Sequence, residues 1–339
     1  MPTRNISGTT DRHLDALLGL LADSPMLVIS GEKIAAEIGI TRSTVWRWIN
    51  KLRAVGVKVN GHPRSGYRIE RMPDVLAPDI LRRQLRGSPF RSRIYHFFKV
   101  DSTNRVAMEL GHVGEPHGAI VLAEEQSAGR GRAGRSWHSE RSSGIYLSIL
   151  LRPVLPPSQA PTLTLAAGLA VYDAVAELAG TRPDIRWPND VLLNGKKLCG
   201  ILTEMYAEPD RVRFVVVGIG INVNQARMPD SLTKIATSLR METGRAHSRI
   251  ELTVRLLRSF ESYYNQLLHD GAAPILARFA QVSSYAQGKR IRVSTAQDSF
   301  IGTTAGLDVS GMLRVTRPGG VTETVLAADI SEAPDAAHN

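Results

Sequence analysis

A chain of 339 residues with 42 Lys or Arg against 32 Asp or Glu carries a formal charge of +10, a length that suits two or three domains better than one and a charge that favours DNA, RNA or nucleotides as partners without choosing among them. Its one cysteine, Cys199, excludes an intrachain disulfide and suits a reducing compartment. The polar residues 1–11 read as no signal peptide, and the apolar runs 163–175 and 214–223 are too short or too interrupted to span a bilayer, so the expectation is a cytoplasmic protein with no membrane partner.

Leu14, Leu17, Leu18 and Leu21 recur at helical spacing, and Ile34, Ala35 and Ile38 suggest a second, shorter helix. Gly39 permits a sharp turn, and Thr41 can cap a third helix whose Val45, Ile49 and Leu52 share one face. Two short strands, 57–60 and 67–69, flank the basic turn 61–66. Three helices and a wing over 11–70 predict a winged helix-turn-helix, with Arg42, Ser43, Thr44, Arg47, Lys51 and Arg64 as candidate DNA contacts. A scaffold without DNA affinity is the other reading of the same pattern.

A proline-bearing stretch, 71–91, reads as a linker. From 92 to 281, strands such as 119–123 and 213–219 mix with helices such as 162–178, predicting a central α/β (α+β) unit. Short alternating runs between 285 and 331 predict a small barrel-like or sandwich-like unit. The remaining residues, 332–339, read as a polar tail.

The segment Gly129-Arg130-Gly131-Arg132-Ala133-Gly134-Arg135-Ser136-Trp137 combines backbone freedom with dense positive charge. Glycine allows close approach, and guanidinium and amide groups surround phosphate oxygens. It lacks the terminal Lys-Ser or Lys-Thr of a Walker loop. Read alone it fits a phosphate site or a basic loop that touches RNA, just as Ser102 to Asn104 read alone fit a helix cap.

Four signals occur in order: Asp101-Ser102-Thr103-Asn104; Glu125-Gln126 followed by the Gly/Arg loop; Arg186-Trp187-Pro188-Asn189-Asp190 leading to Lys196-Lys197-Leu198-Cys199-Gly200; and Gly218-Ile219-Gly220-Ile221-Asn222. Together they resemble the biotin-protein ligases, specifically the bifunctional class that also represses biotin genes. The resemblance implies a biotin/lipoate-ligase-like catalytic domain with a mixed sheet and a C-terminal SH3-like β-barrel. Two departures are visible: Arg186 stands where the family commonly has lysine, and the last unit lacks the usual glycine-containing valine strand.

The resemblance further implies that Ser102, Thr103, Asn104, Gln126, Arg130, Gly131, Arg132 and Lys197 bind biotin, with Lys197 and Arg132 catalytic. It assigns Arg135, Trp137, Trp187, Asn189, Asp190 and Asn222 to the adenylate or its loop. Extended backbone sends Lys196 and Lys197 to opposite faces without saying which faces inward; the choice of Lys197 comes from the family match. ATP, biotin and Mg2+ are the expected small molecules, and biotinyl-5'-AMP the intermediate and corepressor. A biotin carboxyl carrier protein, operator DNA and a second copy in an adenylate-bound homodimer are the expected partners. A ligase whose winged helix has only a regulatory role is the alternative.

Overall fold

The computed structural model describes residues 9–23, 27–54, 57–69, 74–295 and 298–333. The first eight residues, Pro73 of the linker and the tail from 334 onward lie outside them.

Helices α1 (Thr9–Asp23), α2 (Gly31–Ile38) and α3 (Arg42–Ala54) precede an antiparallel hairpin of β1 (Val59–His62) and β2 (Gly66–Ile69). Ser30 Oγ accepts from Lys33 N at 3.1 Å and starts α2. Gly39, at φ +72°, ends it, since only glycine enters that left-handed region without steric cost. Thr41 Oγ1 then accepts from Thr44 N at 3.3 Å and opens α3. Leu17, Leu18, Ile34, Ile49 and Leu52 are fully buried between the three helices. Helix-turn-helix and wing stand where their patterns put them.

The next elements are α4 (Pro78–Gln84), β3 (Ile94–Phe97), α5 (Thr103–His112), β4 (Ala119–Ala123), β5 (Gly144–Leu151), α6 (Ala160–Ala179), β6 (Asp184–Arg186), β7 (Asp190–Leu193), β8 (Lys196–Ala207) and β9 (Val212–Asn222). After them come α7 (Leu239–Thr243), α8 (Arg249–Asp270) and α9 (Ala273–Val282). Seven strands form one mixed sheet in the order β3-β4-β5-β9-β8-β7-β6, parallel between β3 and β4 and antiparallel elsewhere. Strand alternation divides the core. Val121, Leu150, Phe214 and Val216 meet Ala107 and Leu110 of α5 on one face, while Ile149, Val215, Val217 and Ile219 join Leu163, Ala167 and Leu256 of α6 and α8 on the other.

Helix α6 runs longer than its apolar pattern suggests: with the turn before it, Pro157–Ala179 is long and apolar enough to cross a bilayer by composition. Its circumference is instead occupied by the sheet, α8 and α9, and 13 of its residues are buried.

The last unit departs from expectation. Strands β10 (Gln287–Ser294), β11 (Ser299–Leu307), β12 (Leu313–Thr316), β13 (Thr322–Val325) and β14 (Asp329–Glu332) pair in the order β13-β12-β11-β10-β14. Residues 326–328 carry the chain from one edge of the sheet to the other, so β14 pairs with β10 and no ladder joins β13 to β14. The sheet is therefore open, not a closed SH3-like barrel, since closure needs that last ladder.

A buried charge chain ties α1 to the sheet. His96 Nδ1 lies 2.7 Å from Asp15 of α1 and His96 Nε2 lies 3.3 Å from Glu124. Glu124 Oε2 is 2.8 Å from Arg249 Nη1, and Arg249 Nε is 3.0 Å from Asp74. Burial alone would push the His96 imidazole down, but the flanking Asp15 and Glu124 outweigh it and raise it to about 10. Burial pushes Glu124 up, and Arg249 and His96 reverse this, holding it down at about 2.

Candidate active site

The site lies on the α5 face of the sheet, where the strands carry little side chain. Gly220 of β9 pairs with Gly200 of β8 and Tyr146 of β5, and Gly218 pairs with Leu202 and Ser148. Alternation points all these positions to one side, and the glycines leave a trough there. The trough is already tight: a Cβ on Gly220 would come within 2.6 Å of the Trp137 ring, and one on Gly218 within 2.0 Å of Asn104 Oδ1.

A buried polar network closes one end. Thr103 N and Oγ1 donate to Gln126 Oε1 at 2.9 and 3.2 Å, and Gln126 Nε2 donates to Ser139 Oγ at 3.0 Å. Ser148 Oγ stands 2.8 Å from Thr103 Oγ1 and 2.6 Å from Asn104 Oδ1. Asn104 Nδ2 donates to Leu202 O at 3.1 Å and to Glu204 Oε2 at 2.9 Å. Ser102, the residue before α5, is buried beside them. Such a cluster of fixed donors and acceptors suits a polar, uncharged head group.

The Gly/Arg loop folds over the trough as a closed hairpin. Trp137 N donates to Gly129 O at 2.8 Å, and Gly131 N to Arg135 O at 2.6 Å. The tight turn needs Ala133 at φ 52° and Gly134 at φ 73°. Three arginines pin the loop to separate elements: Arg130 to Glu204 at 3.0 Å, Arg132 to Asn189 Oδ1 at 2.9 Å, and Arg135 to Asp329 at 2.6 Å. Trp137 Nε1 is buried without a hydrogen-bond partner among the described residues.

Two cavities meet at this loop. The inner one, about 50 Å³, is bounded by the network, the glycine trough and Trp137. That volume holds a few waters, well short of a bicyclic ligand, which enters only when the loop and Trp137 move. The outer one, about 230 Å³, adds Arg135, Arg186, Asp190, Asn222 and the segment Met228–Ala236. Lys197 and Arg132 border both. Lys197 Nζ lies 2.6 Å from Asp190 Oδ1 and 5.6 Å from the centre of the Trp137 ring, while Asp190 Oδ2 accepts from Arg186 at 2.7 Å. Lys196 points away and donates to Thr233 O at 3.1 Å. Among the described residues no three His, Cys, Asp or Glu side chains form a metal cage. Asp190 is the one acidic side chain between Lys197 and Arg186, a donor set that fits a magnesium ion arriving with a triphosphate better than a resident ion.

The structure thus gathers Ser102, Thr103, Asn104, Gln126, Arg130, Gly131, Arg132, Trp137, Asn189 and Lys197 around the inner cavity, and Arg135, Asp190 and Asn222 around the outer one. Trp187 lines neither of these: buried, it donates from Nε1 to Gly311 O at 2.9 Å and lines an adjoining cleft against the last sheet, which shares Arg132, Asn189 and Ile201 with the inner cavity. Ser148, Glu204 and Met228–Ala236 escaped the sequence reading. A hydroxyl within the otherwise apolar 144–151 run was a usable signal for Ser148; the irregular 224–238 segment carried none. Cys199 is fully buried and burial pushes its thiol well up, as a packed small side chain requires. In the helix-turn-helix and its wing Ser43, Arg47, Lys51 and Arg64 are exposed, and Thr44 is half-buried. Arg42 is drawn to the wing, donating to Pro63 O at 2.7 Å.

A helix-turn-helix joined to a mixed sheet with a glycine trough under a Gly/Arg loop defines the class. Residues 97–222 match the biotin/lipoate A/B protein ligase family, and residues 13–68 match an HTH domain. The chain is 39% identical over 318 residues to the bifunctional ligase/repressor BirA of Bacillus subtilis, covering 93% of this chain and 97% of that one. It is 42% identical over 219 residues to the biotin--[acetyl-CoA-carboxylase] ligase of Mycobacterium tuberculosis, covering 63% and 78%. Among solved structures, a biotin protein ligase from Aquifex aeolicus in complex with biotin and ATP superposes with a TM-score of 0.61 at 27% identity, covering 71% and 98%. The chain belongs to the family of bifunctional biotin ligase/repressors.

Proposed function

We propose that this chain is an ATP-dependent ligase that forms biotinyl-5'-AMP and transfers biotin to a lysine of a biotin carboxyl carrier protein. The observation that carries the reading is that Lys197 and Arg132 stand where an uncharged-ligand chamber opens into a cationic one. Full-length similarity to a ligase/repressor supports it.

Thr103, Asn104, Gln126 and Ser148 hold the ureido head, the glycine trough takes the rings and chain, and the carboxylate reaches Lys197. Attack of a carboxylate oxygen on the α-phosphorus joins biotin to AMP and expels pyrophosphate. Lys197 and Arg132 stabilise the charge that moves between carboxylate and phosphate, and the loop excludes water from the mixed anhydride. Asp190 and Asn222 are the residues that would hold magnesium, which screens the phosphates when bound. In the second step the acceptor amine attacks the biotinyl carbonyl, an amide forms, and AMP leaves with the bonding pair. An unperturbed lysine has a pKa of about 10.4, so only about one in a thousand is neutral near neutral pH; the acceptor amine must lose its proton on entering the site.

The same adenylate is the corepressor in this reading. Held by Arg130, Arg132 and Arg135, it orders the loop, favours a homodimer and sets two winged helices on a two-fold operator. A cytoplasmic location accompanies both roles. Biotin-dependent ATP/pyrophosphate exchange, run beside lipoate, tests the ligase: exchange with lipoate alone would sink the substrate assignment. Retention of biotin-promoter DNA that rises with biotinyl-5'-AMP tests repression; retention indifferent to it would leave the winged helix a regulatory part only.

A further inference from the structure

Helix α3 exposes one large apolar side chain. Val45, Trp48, Ile49 and Leu52 face the core, but Trp46 is 51% exposed. Helical spacing places it on the flank that carries Arg42, four residues earlier, and Arg53, seven later. Both of those cations are spent on the wing: Arg42 Nη2 donates to Pro63 O, and Arg53 donates through Nε to Val59 O at 3.0 Å and through Nη2 to Gly61 O at 2.8 Å. On the other side, Lys51 Nζ sits 4.8 Å above the Trp48 ring, and Arg47 reaches back to Thr44 Oγ1 at 3.5 Å. Of the two tryptophans on this helix Trp46 is the exposed one, and Arg47 and Lys51 of the same helix and Arg64 of the wing are exposed as well.

An exposed aromatic on a helix-and-wing surface that also exposes cations fits a polyanion that offers an apolar spot. A thymine 5-methyl in the major groove is such a spot, the one apolar group among the base edges there, and apolar side chains read it by contact. We infer that Trp46 is a base-reading residue that selects thymine in the bound site, while Arg47, Lys51 and Arg64 hold phosphates. The inference rests on the DNA-binding reading above and names a specificity residue within it. Arg42 is assigned to fixing the wing instead of reading bases.

The test uses the full chain with biotin and ATP, and duplexes that the wild type recovers from a random-sequence pool. Each thymine is then replaced singly by deoxyuridine, which removes only the methyl. At one position per half-site the replacement should weaken wild-type binding about fourfold, the worth of one buried methyl. Trp46→Ala should bind the parent duplex more weakly and no longer distinguish thymine from uracil there, and Trp46→Phe should restore the distinction. Arg47→Ala should lose affinity yet keep it. If Trp46→Ala still separates thymine from uracil as the wild type does, the inference is overturned while DNA binding stands. If the wild type recovers no selective duplex at all, both readings fall together.

Discussion

Replacing Arg249 by methionine probes the charge chain that joins the first helix, the linker and the sheet. Arg249 is fully buried, 2.8 Å from Glu124 Oε2 and 3.0 Å from Asp74, and also donates from Nη1 to Gly144 O. Glu124 is 1% exposed; its Oε1 keeps Leu76 N and His96, but without Arg249 its Oε2 faces no cation at ion-pair distance. Stranding one member of a buried pair costs about 3–5 kcal/mol. With an unfolding entropy of ~2.1 cal/mol/K per residue, a cooperative unit of ~250 residues carries about 0.5 kcal/mol/K, so Tm falls by roughly 6–10 °C. Adding Glu124→Gln removes the stranded charge, and the double variant should lose less than the two single losses combined. Calorimetry of the four proteins measures this. A Tm of Arg249→Met within ~2 °C of wild type, or a double variant whose loss equals the sum, would mean that Arg249 does not stabilise the buried Glu124 charge.

Exchange activity should fall by about 10²–10³ in Lys197→Ala, the cost of losing one donor to a developing charge, and only slightly in Lys196→Ala; equal losses would show that the ion pair with Asp190 does not mark the catalytic lysine. Gly220→Ala places a methyl against Trp137, and overpacking of about 1–3 kcal/mol drawn from biotin binding should raise KM for biotin roughly 5- to 150-fold, whereas an unchanged KM would remove the trough from the site. The His96 imidazole is raised to about 10 in the folded chain, so its contribution is complete below an unfolded value of about 6.5 and disappears as pH rises through the folded one. Denaturation midpoints should therefore decline between about pH 6.5 and 10, and less steeply in Asp15→Asn; parallel declines would exclude this pair as the cause.

Local signals carried much of the architecture. Gly39 and Thr41 marked the helix-turn-helix because a left-handed turn and a cap are decided within a few residues. The limits of α6 ran slightly past its apolar stripe, as helix ends do. What escaped was non-local. Whether β14 pairs with β13 or β10 is set by the path of 326–328 across the sheet, and nothing in the strand sequences encodes it. The same holds at the site. Glu204 joins Arg130 to Asn104 across 74 and 100 positions, and Ser148 meets Thr103 across 45; spacing does not reveal such pairs. The inward face of β8 was undecidable from alternation and became evident only from Asp190 beside Lys197 and Thr233 beside Lys196. Trp187, in a motif next to Asn189 and Asp190, bonds Gly311 across 124 positions, another pair that spacing does not reveal.

Biotin transfer is read by the intact mass of an isolated carrier domain with one target lysine, incubated with this chain, ATP and biotin. One biotinyl group is expected on that lysine, dependent on ATP and formed far more slowly with Lys197→Ala. An unmodified carrier in the presence of active, folded chain, or modification that persists without ATP, would contradict ATP-dependent transfer.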